Sequence, residues 1–313
     1  MLLGRTANGL YWMHRYIERA ENMARLVDAG MRMALTRSSS SSDEWESVLL
    51  SAGARDAFDV CYTEYTAEHV IDFLLRDVNY PSSVMSAMTS ARTNARMVRT
   101  ALTREAWEAV NEAWMNLTRL LSNTVNTNDL PRVLDGIKRE TALIRGAFIG
   151  TMLRNEIFNF AHIGTYMERA DNTARILDVK YYVLLPAVSY VGSSMDTFQW
   201  ESILRSVSAH RSYRWVYDTE YKPANIADYL ILHDRMPRSL AFCYHNIVVN
   251  LDYLARDYGQ TSPANAQAEA IKATLTNRTI PQIMDHGLHE FLTDFIDQNN
   301  RLGLGVAQAF NFD

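Results

Sequence analysis

Two short stretches of this chain bring carboxylates, guanidinium groups and an amide together at helical spacing, and the second repeats the first. Residues 16–28 read YIERAENMARLVD and residues 166–178 read YMERADNTARILD. Glu18, Asn22 and Arg25 fall on one face of a 3.6-residue helix with Glu21 beside them, and Glu168, Asn172 and Arg175 do the same with Asp171 beside them. Arg19 and Arg169 lie between that stripe and the apolar face, where an arginine needs a carboxylate partner, and Asp28 and Asp178 close each copy. Three readings fit the pattern. The stripe is a solvated face laced with helix-stabilising pairs, a buried Glu–Arg network that locks two halves of the molecule together, or the wall of a ligand cleft. In the cleft reading Asn22, Asn172, Arg25 and Arg175 hold the ligand. Glu18 or Glu168 is then a catalytic base toward an amine, provided that burial raises its pKa. Against the solvated face, Met23 and Thr173 differ between the copies while Glu-Arg, Asn and Arg do not. Lysine would serve equally on a surface, but not where a bidentate fork is used.

A second basic feature stands alone. ARTNARMVR places Arg92, Arg96 and Arg99 at i, i+4 and i+7 on one helix face, whereas the positions 156 residues on are Val248, Asp252 and Ala255. Only Asn94 is kept, as Asn250. An arginine stripe in an acidic chain suits a carboxylate or phosphate. The plainer reading is a set of surface ion pairs with acids such as Glu105 and Glu108.

Other constellations fail. A carboxylate-bridged di-iron bundle needs Glu-x-x-His on two helices, but Glu18 is followed at that spacing by Glu21 and Glu168 by Asp171. His286, His289 and Glu290 read HGLHE, neither HExxH nor HxxEH. No metal site is expected. No phosphate-binding GxxxxGK[ST], dinucleotide GxGxxG or nucleophile-elbow GxSxG is present, which leaves any cofactor unknown. Cys61 lacks a histidine within reach along its own helix, His69 being two turns on, so Cys61 and Cys243 read as small core fillers.

The elements that must carry these residues are helices. Gly (13) and Pro (7) are scarce among 313 residues, about half their usual share, and no run of alternating β-branched residues is bounded by turns. The expected fold is an all-α, multi-helix bundle without β-sheet. The duplication runs well beyond the two stripes. Trp45-Glu46-Ser47 answers Trp200-Glu201-Ser202, Thr63-Glu64-Tyr65 answers Thr219-Glu220-Tyr221, and Pro81-Ser82-Ser83 answers Pro237-Arg238-Ser239, with the offset drifting from 150 to 156. Two duplicated units follow, 1–150 and 151–260, with a helical tail at 261–313. Both stripe helices are expected to be adjacent at the centre, packed through the apolar face of Met13, Tyr16, Ile17, Ala20, Ala24, Val27 and Met31. In the first unit, helices are predicted at 10–35, from an Asp43/Glu46 capping box onward, at 68–76 capped by Thr66, and at 81–102 with Pro81 in the first turn. Others are predicted at 103–124 and from Pro131 to about 148. The second unit gives 155–185, 196–207, 223–233 and 237–258, and the tail 264–275 and 281–298. TRSSSSSD at 36–43 reads as a linker.

The net charge of −5 argues against a nucleic-acid partner. The longest apolar stretch, 181–188, is interrupted by Pro186 and is too short to span a bilayer. Two cysteines and an opening without a signal-peptide pattern lead to the expectation of a cytoplasmic protein, not bound to membrane.

The opening GRTANGLYWMHRYIERAENMARLVD, the second YMERADNTARILD, and ARTNAR followed by Glu105-Ala106-Trp107-Glu108 resemble the alpha-E family, which is bacterial, all-helical and named for a Glu-Arg motif. The resemblance covers nearly the whole chain. Its motif falls on Glu18, Arg19 and Arg25, again on Glu168, Arg169 and Arg175, and on the run Arg92, Asn94, Arg96; nothing carries over beyond about residue 260. The resemblance implies genes beside a circularly permuted ATP-grasp ligase and a transglutaminase-like cysteine peptidase. It also implies a role in making or modifying a small peptide or amide. Under it Arg92, Arg96 and Arg99 would hold the carboxylate or phosphate of a peptide or acyl phosphate. The alternative is a non-catalytic helical scaffold that docks partner proteins, with the stripes as structural salt bridges.

Overall fold

The computed structural model describes residues 2–34, 42–184, 194–218 and 220–312, and the fold is all-α. Fifteen α-helices follow one another among the described residues. They are α1 (Gly4–Ala34), α2 (Ser42–Ala52), α3 (Arg55–Asp59), α4 (Ala67–Leu75), α5 (Val84–Met97), α6 (Arg104–Leu120), α7 (Leu130–Thr151), α8 (Glu156–Leu184), α9 (Ser194–Ser206), α10 (His210–Tyr217), α11 (Pro223–Ile231), α12 (Leu240–Tyr258), α13 (Pro263–Asn277), α14 (Ile280–His286) and α15 (Leu288–Ala309). The matched sequence segments lie on α1 and α8, on α2 and α9, and in the turns before α5 and α12. Most of the 36–43 linker, part of the 181–188 stretch with Pro186, and Thr219 lie outside the described residues.

Side-chain caps set several starts. Thr66, Ser83, Thr103 and Ser239 each accept a hydrogen bond from the backbone N–H three residues on, satisfying a donor the helix leaves orphaned. Pro81 therefore lies in the turn before α5 rather than inside it, and α5 gives way after Met97 to a short 3-10 turn, Arg99–Ala101. The helix α2 begins at Ser42, so Asp43 is inside it and not its cap. The expected tail helix at 281–298 is two helices, because Gly287 takes φ +104°, a conformation that favours glycine, between α14 and α15.

The molecule is organised around α1, which packs against α8, α5, α7, α2 and α9. Its expected core face is buried at Met13, Ile17, Ala20, Ala24 and Val27, with Tyr16 and Met31 half-buried. The opposite face is buried too, at Tyr11, His14, Glu18, Glu21, Asn22 and Arg25. A helix buried all round sits inside the protein, not on it. At the α1–α8 crossing the backbones approach so closely that a Cβ on Gly164 would lie 2.3 Å from the Tyr11 carbonyl oxygen. The tail is built into this centre: α15 packs on α8, and its buried Asn299 accepts from the Tyr244 hydroxyl (2.9 Å) and donates to the Met167 carbonyl (3.2 Å). Cys243 is a core filler as expected, whereas Cys61 is exposed in the turn after α3.

Candidate functional site

The two Glu-Arg pairs exchange partners across the α1–α8 interface. Arg169 of α8 donates to Glu18 of α1 through Nε (2.9 Å) and Nη2 (3.0 Å). Arg19 of α1 donates to Glu168 of α8 through Nε (2.6 Å) and Nη2 (3.1 Å). Asn22 adds a bond from Nδ2 to the Glu168 carbonyl (3.1 Å). The two stripe helices are adjacent, but charged groups, not the apolar face alone, meet where they cross. The solvated reading is overturned, since Glu18 is 1% exposed and Glu168 6%.

Around Glu18 and Glu21 the network closes. Oε1 of Glu18 accepts from Arg169 and from Arg238 Nη1 (3.0 Å), and Oε2 from Arg169 and Arg145 Nη1 (3.1 Å). Glu21 accepts from Arg25 Nε (2.9 Å) and Nη2 (2.6 Å), from Arg238 Nη2 and from the Thr141 hydroxyl (2.9 Å), and it is ion-paired with Arg145 Nη2. Arg25 also donates to the Ser206 carbonyl (2.7 Å) and the Ser208 hydroxyl (2.9 Å). Every carboxylate oxygen is bonded, as burial of charge requires.

Around Glu168 the same pattern stays open. A cleft of about 180 Å³ is lined by Arg15, Arg19 and Asn22 of α1, Glu168, Asp171, Asn172 and Arg175 of α8, and Ser82 before α5, with Asn300 of α15 at its edge. Arg15 Nε donates to Glu168 Oε2 (2.8 Å), and Arg175 Nε to Asp171 Oδ2 (2.6 Å). Arg175 Nη1 is held by the Ser51 carbonyl (3.2 Å). Asn172 is 5% exposed, and its Nδ2 is buried without a hydrogen-bond partner. A buried amide left unpaired costs free energy on the order of 1–3 kcal/mol, so the cleft wall carries a donor that is open to an acceptor.

The electrostatics correct the role expected of the two glutamates. Burial opposes ionisation of Glu18, but Arg169, Arg238 and Arg145 outweigh it and hold the carboxyl well below the usual range. Burial likewise opposes ionisation of Glu168, and Arg19 and Arg15 bring it down to about 2. Burial did not raise either pKa, and a carboxylate locked on two or three arginines is a poor proton acceptor, so the condition set for Glu18 or Glu168 as catalytic base is not met. Arg238 is fully buried and crowded by Arg25, which lowers its pKa to about 10, leaving it charged at neutral pH.

The remaining sequence-derived residues disperse. Arg92, Arg96 and Arg99 do not line the cleft. Arg92 donates to Asn111 Oδ1 (2.8 Å) with its guanidinium 4.2 Å from the Trp114 ring centre, and Arg99 lies 5.4 Å from that of Trp107. Arg96 is exposed. The ion pairs expected with Glu105 and Glu108 do not form with these arginines, since Glu108 pairs with Arg104 (2.6 Å). Asn94 and Asn250 both donate to the carbonyl four residues back in their own helices, which accounts for their match. Asp28 pairs with Arg32 (3.0 Å) and Lys138 (3.6 Å), and Asp178 with His289 (2.6 Å). Sequence reasoning missed Arg15, Arg145 and Arg238. For Arg238 a signal was present, as the residue that answers Ser82. Among the described residues no group of three or more His, Cys, Asp or Glu is placed to hold a metal ion, and no helix is long and apolar enough to cross a membrane.

An all-helical protein whose two central helices trade glutamates and arginines is the class that this fold and site define. The sequence matches the Alpha-E family, described as a predicted α-helical domain with a conserved ER motif, over residues 2–310, and the chain belongs to that family. It is similar to an uncharacterized protein of Mycobacterium bovis and to one of Mycobacterium tuberculosis, each 24% identical over 284 residues, covering 83% of this chain and 31% of the relative. The chain thus spans about a third of the length of these curated relatives. No solved structure matches it significantly.

Proposed function

We propose that this chain binds a small amino-acid-like or peptide ligand in the α1–α8 cleft and acts within a peptide- or amide-bond-forming system beside an ATP-grasp ligase. The observation that carries the ligand part is the cleft of about 180 Å³ walled by ion-paired carboxylates and the unpartnered amide of Asn172. That volume far exceeds what one water needs, and the paired charges suit a ligand that carries charge itself. The chain's own part is to hold and orient the ligand, because Glu18 and Glu168 are spent on arginines. The ligase, and a transglutaminase-like peptidase as a further partner, rest on the family resemblance. That the matched part is 31% of each mycobacterial relative supports a unit working next to another activity.

The closed node of Glu18 and Glu21 favours a second reading, a scaffold whose stripes only lock helices together. Native mass spectrometry of the purified chain with amino acids and dipeptides separates the two. A bound mass that disappears in Ser82→Phe, which fills the cleft, supports the ligand reading; no bound mass from any of them refutes it. Co-purification with an ATP-grasp ligase, with and without ATP, tests the partnership.

A further inference from the structure

The two charged nodes differ at one matched position. The chain takes the same course through Pro81-Ser82-Ser83 before α5 and Pro237-Arg238-Ser239 before α12. Ser83 and Ser239 are N-caps with φ −60°, ψ 155° and φ −68°, ψ 154°, and their N–H groups donate to Tyr80 (3.0 Å) and Met236 (2.9 Å). The residue before each cap faces a stripe helix. Arg238 lays its guanidinium on Glu18, Glu21 and Asn22 of α1. Ser82 lines the cleft beside Glu168, Asp171 and Asn172 of α8. Ser82 thus borders a cleft at the position whose match carries a guanidinium onto the other stripe.

We propose that the cleft takes a guanidinium group, from a small molecule or from the arginine of a peptide, in the place that Arg238 holds at the closed node; this rests on the reading of the cleft as a ligand site. Three observations support the match. Without Arg238 the closed node would set Glu18 and Glu21 against Arg25, Arg145 and Arg169, the same charge balance as Glu168 and Asp171 against Arg15, Arg19 and Arg175. A surplus of one positive charge therefore does not bar a further guanidinium, since the closed node accepts one under that balance. Next, an ionised carboxylate has about four acceptor sites. Glu18 and Glu21 each accept four hydrogen bonds, whereas Glu168 accepts three and Asp171 two, so the cleft retains unused acceptors. Finally, Asn22 Oδ1 accepts from Arg238 Nη1 at 3.4 Å and Asn172 is its match on the cleft wall, where its unpaired Nδ2, a donor that a guanidinium cannot meet, is left for an acceptor elsewhere on the ligand. Acceptors spread over two carboxylates suit a planar fork better than the point charge of an ammonium.

Isothermal titration of the full chain with L-arginine, agmatine, acetyl-Gly-Arg-Gly-amide, L-lysine, L-glutamate and inorganic phosphate tests this, alongside Ser82→Arg, which supplies the guanidinium internally. The expected result is binding of arginine, agmatine or the peptide, with lysine weaker by about tenfold or more, and loss of that binding in Ser82→Arg with a raised Tm. Tighter binding of the peptide than of agmatine and free arginine identifies a peptide side chain as the source, and the reverse order identifies a small molecule. Lysine equal to arginine, or arginine binding that survives Ser82→Arg, overturns the proposal. Glutamate or phosphate binding that Ser82→Arg abolishes, without arginine binding, overturns the guanidinium while the ligand cleft stands. No binding by any of the six overturns both, and the wild-type titration alone decides this whether or not the variant folds.

Discussion

Replacing Glu168 with glutamine tests what the buried pairs contribute. The carboxyl stands at about 2, against an ordinary value near 4.5, because Arg19 and Arg15 outweigh the cost of burying it. At roughly 1.4 kcal/mol per pKa unit, the ionised form contributes on the order of 3 kcal/mol of stability at neutral pH. Glutamine mimics the protonated acid in shape and leaves Arg15 and Arg19 buried and uncompensated, so Glu168→Gln should cost about that much. The sign follows from the direction of the shift. A carboxyl depressed in the folded state contributes its full stability above the unfolded value, and that contribution drains away as pH falls from about 4.5 toward about 2. Urea unfolding of wild type and Glu168→Gln at intervals from pH 7 to pH 2.5 reads it directly. The gap should be about 3 kcal/mol at pH 7 and close progressively below pH 4.5. A gap under about 1 kcal/mol at pH 7, the size of a surface pair, would refute the argument. So would a gap that stays constant with pH.

Other perturbations follow from the same geometry. Arg96→Ala should leave unfolding free energy within about 0.5 kcal/mol of wild type, as for an exposed side chain without a partner. Arg92→Ala should cost about 1 kcal/mol through loss of the Trp114 stack and the Asn111 bond; equal effects of the two in urea titrations would contradict the placement of the stripe. His14, lowered to about 3 by burial and by His162, should show no change in its imidazole NMR shifts between pH 5 and pH 8. Its folded form refuses a proton that the unfolded chain accepts below about 6.5, so it subtracts stability as pH falls through that range. Gly164→Ala should cost about 1–3 kcal/mol by forcing α1 and α8 apart at Tyr11, visible as a lowered urea midpoint; a neutral result would mean that the crossing can relax.

The stripes were legible because helical spacing fixes which residues share a face, and their duplication separated Glu, Arg and Asn from neighbours that vary. Spacing says nothing about what stands opposite a face, and so it left a solvated surface, a buried network and a cleft equally available. The partners that decide among them lie outside the stripe: Arg145 on α7, Arg238 in the turn before α12, and Arg15 three residues before Glu18 on α1 itself. The same limit explains the misplaced arginine stripe. Arg92 and Arg96 lie on α5, but Arg99 falls in the 3-10 turn after it, and α6 offers Arg92 the Trp114 ring and Asn111 and Arg99 the Trp107 ring in place of a carboxylate, which only tertiary packing determines. Duplication is more informative where its copies disagree. Thr173 bonds the Arg238 carbonyl (2.7 Å) and helps to hold the turn that delivers the guanidinium to Glu18, while its match, Met23, lines the cleft beside Ser82. Met23 and Ser82 line the cleft together, as Thr173 and Arg238 meet at the closed node. One half keeps a tethered arginine over its carboxylates, and the other keeps the carboxylates, the amide and the empty volume without it. Two copies of one stripe thereby differ in what they build: the first holds the helices together in a closed node, and the second borders an open cleft, which is the basis of the ligand proposal.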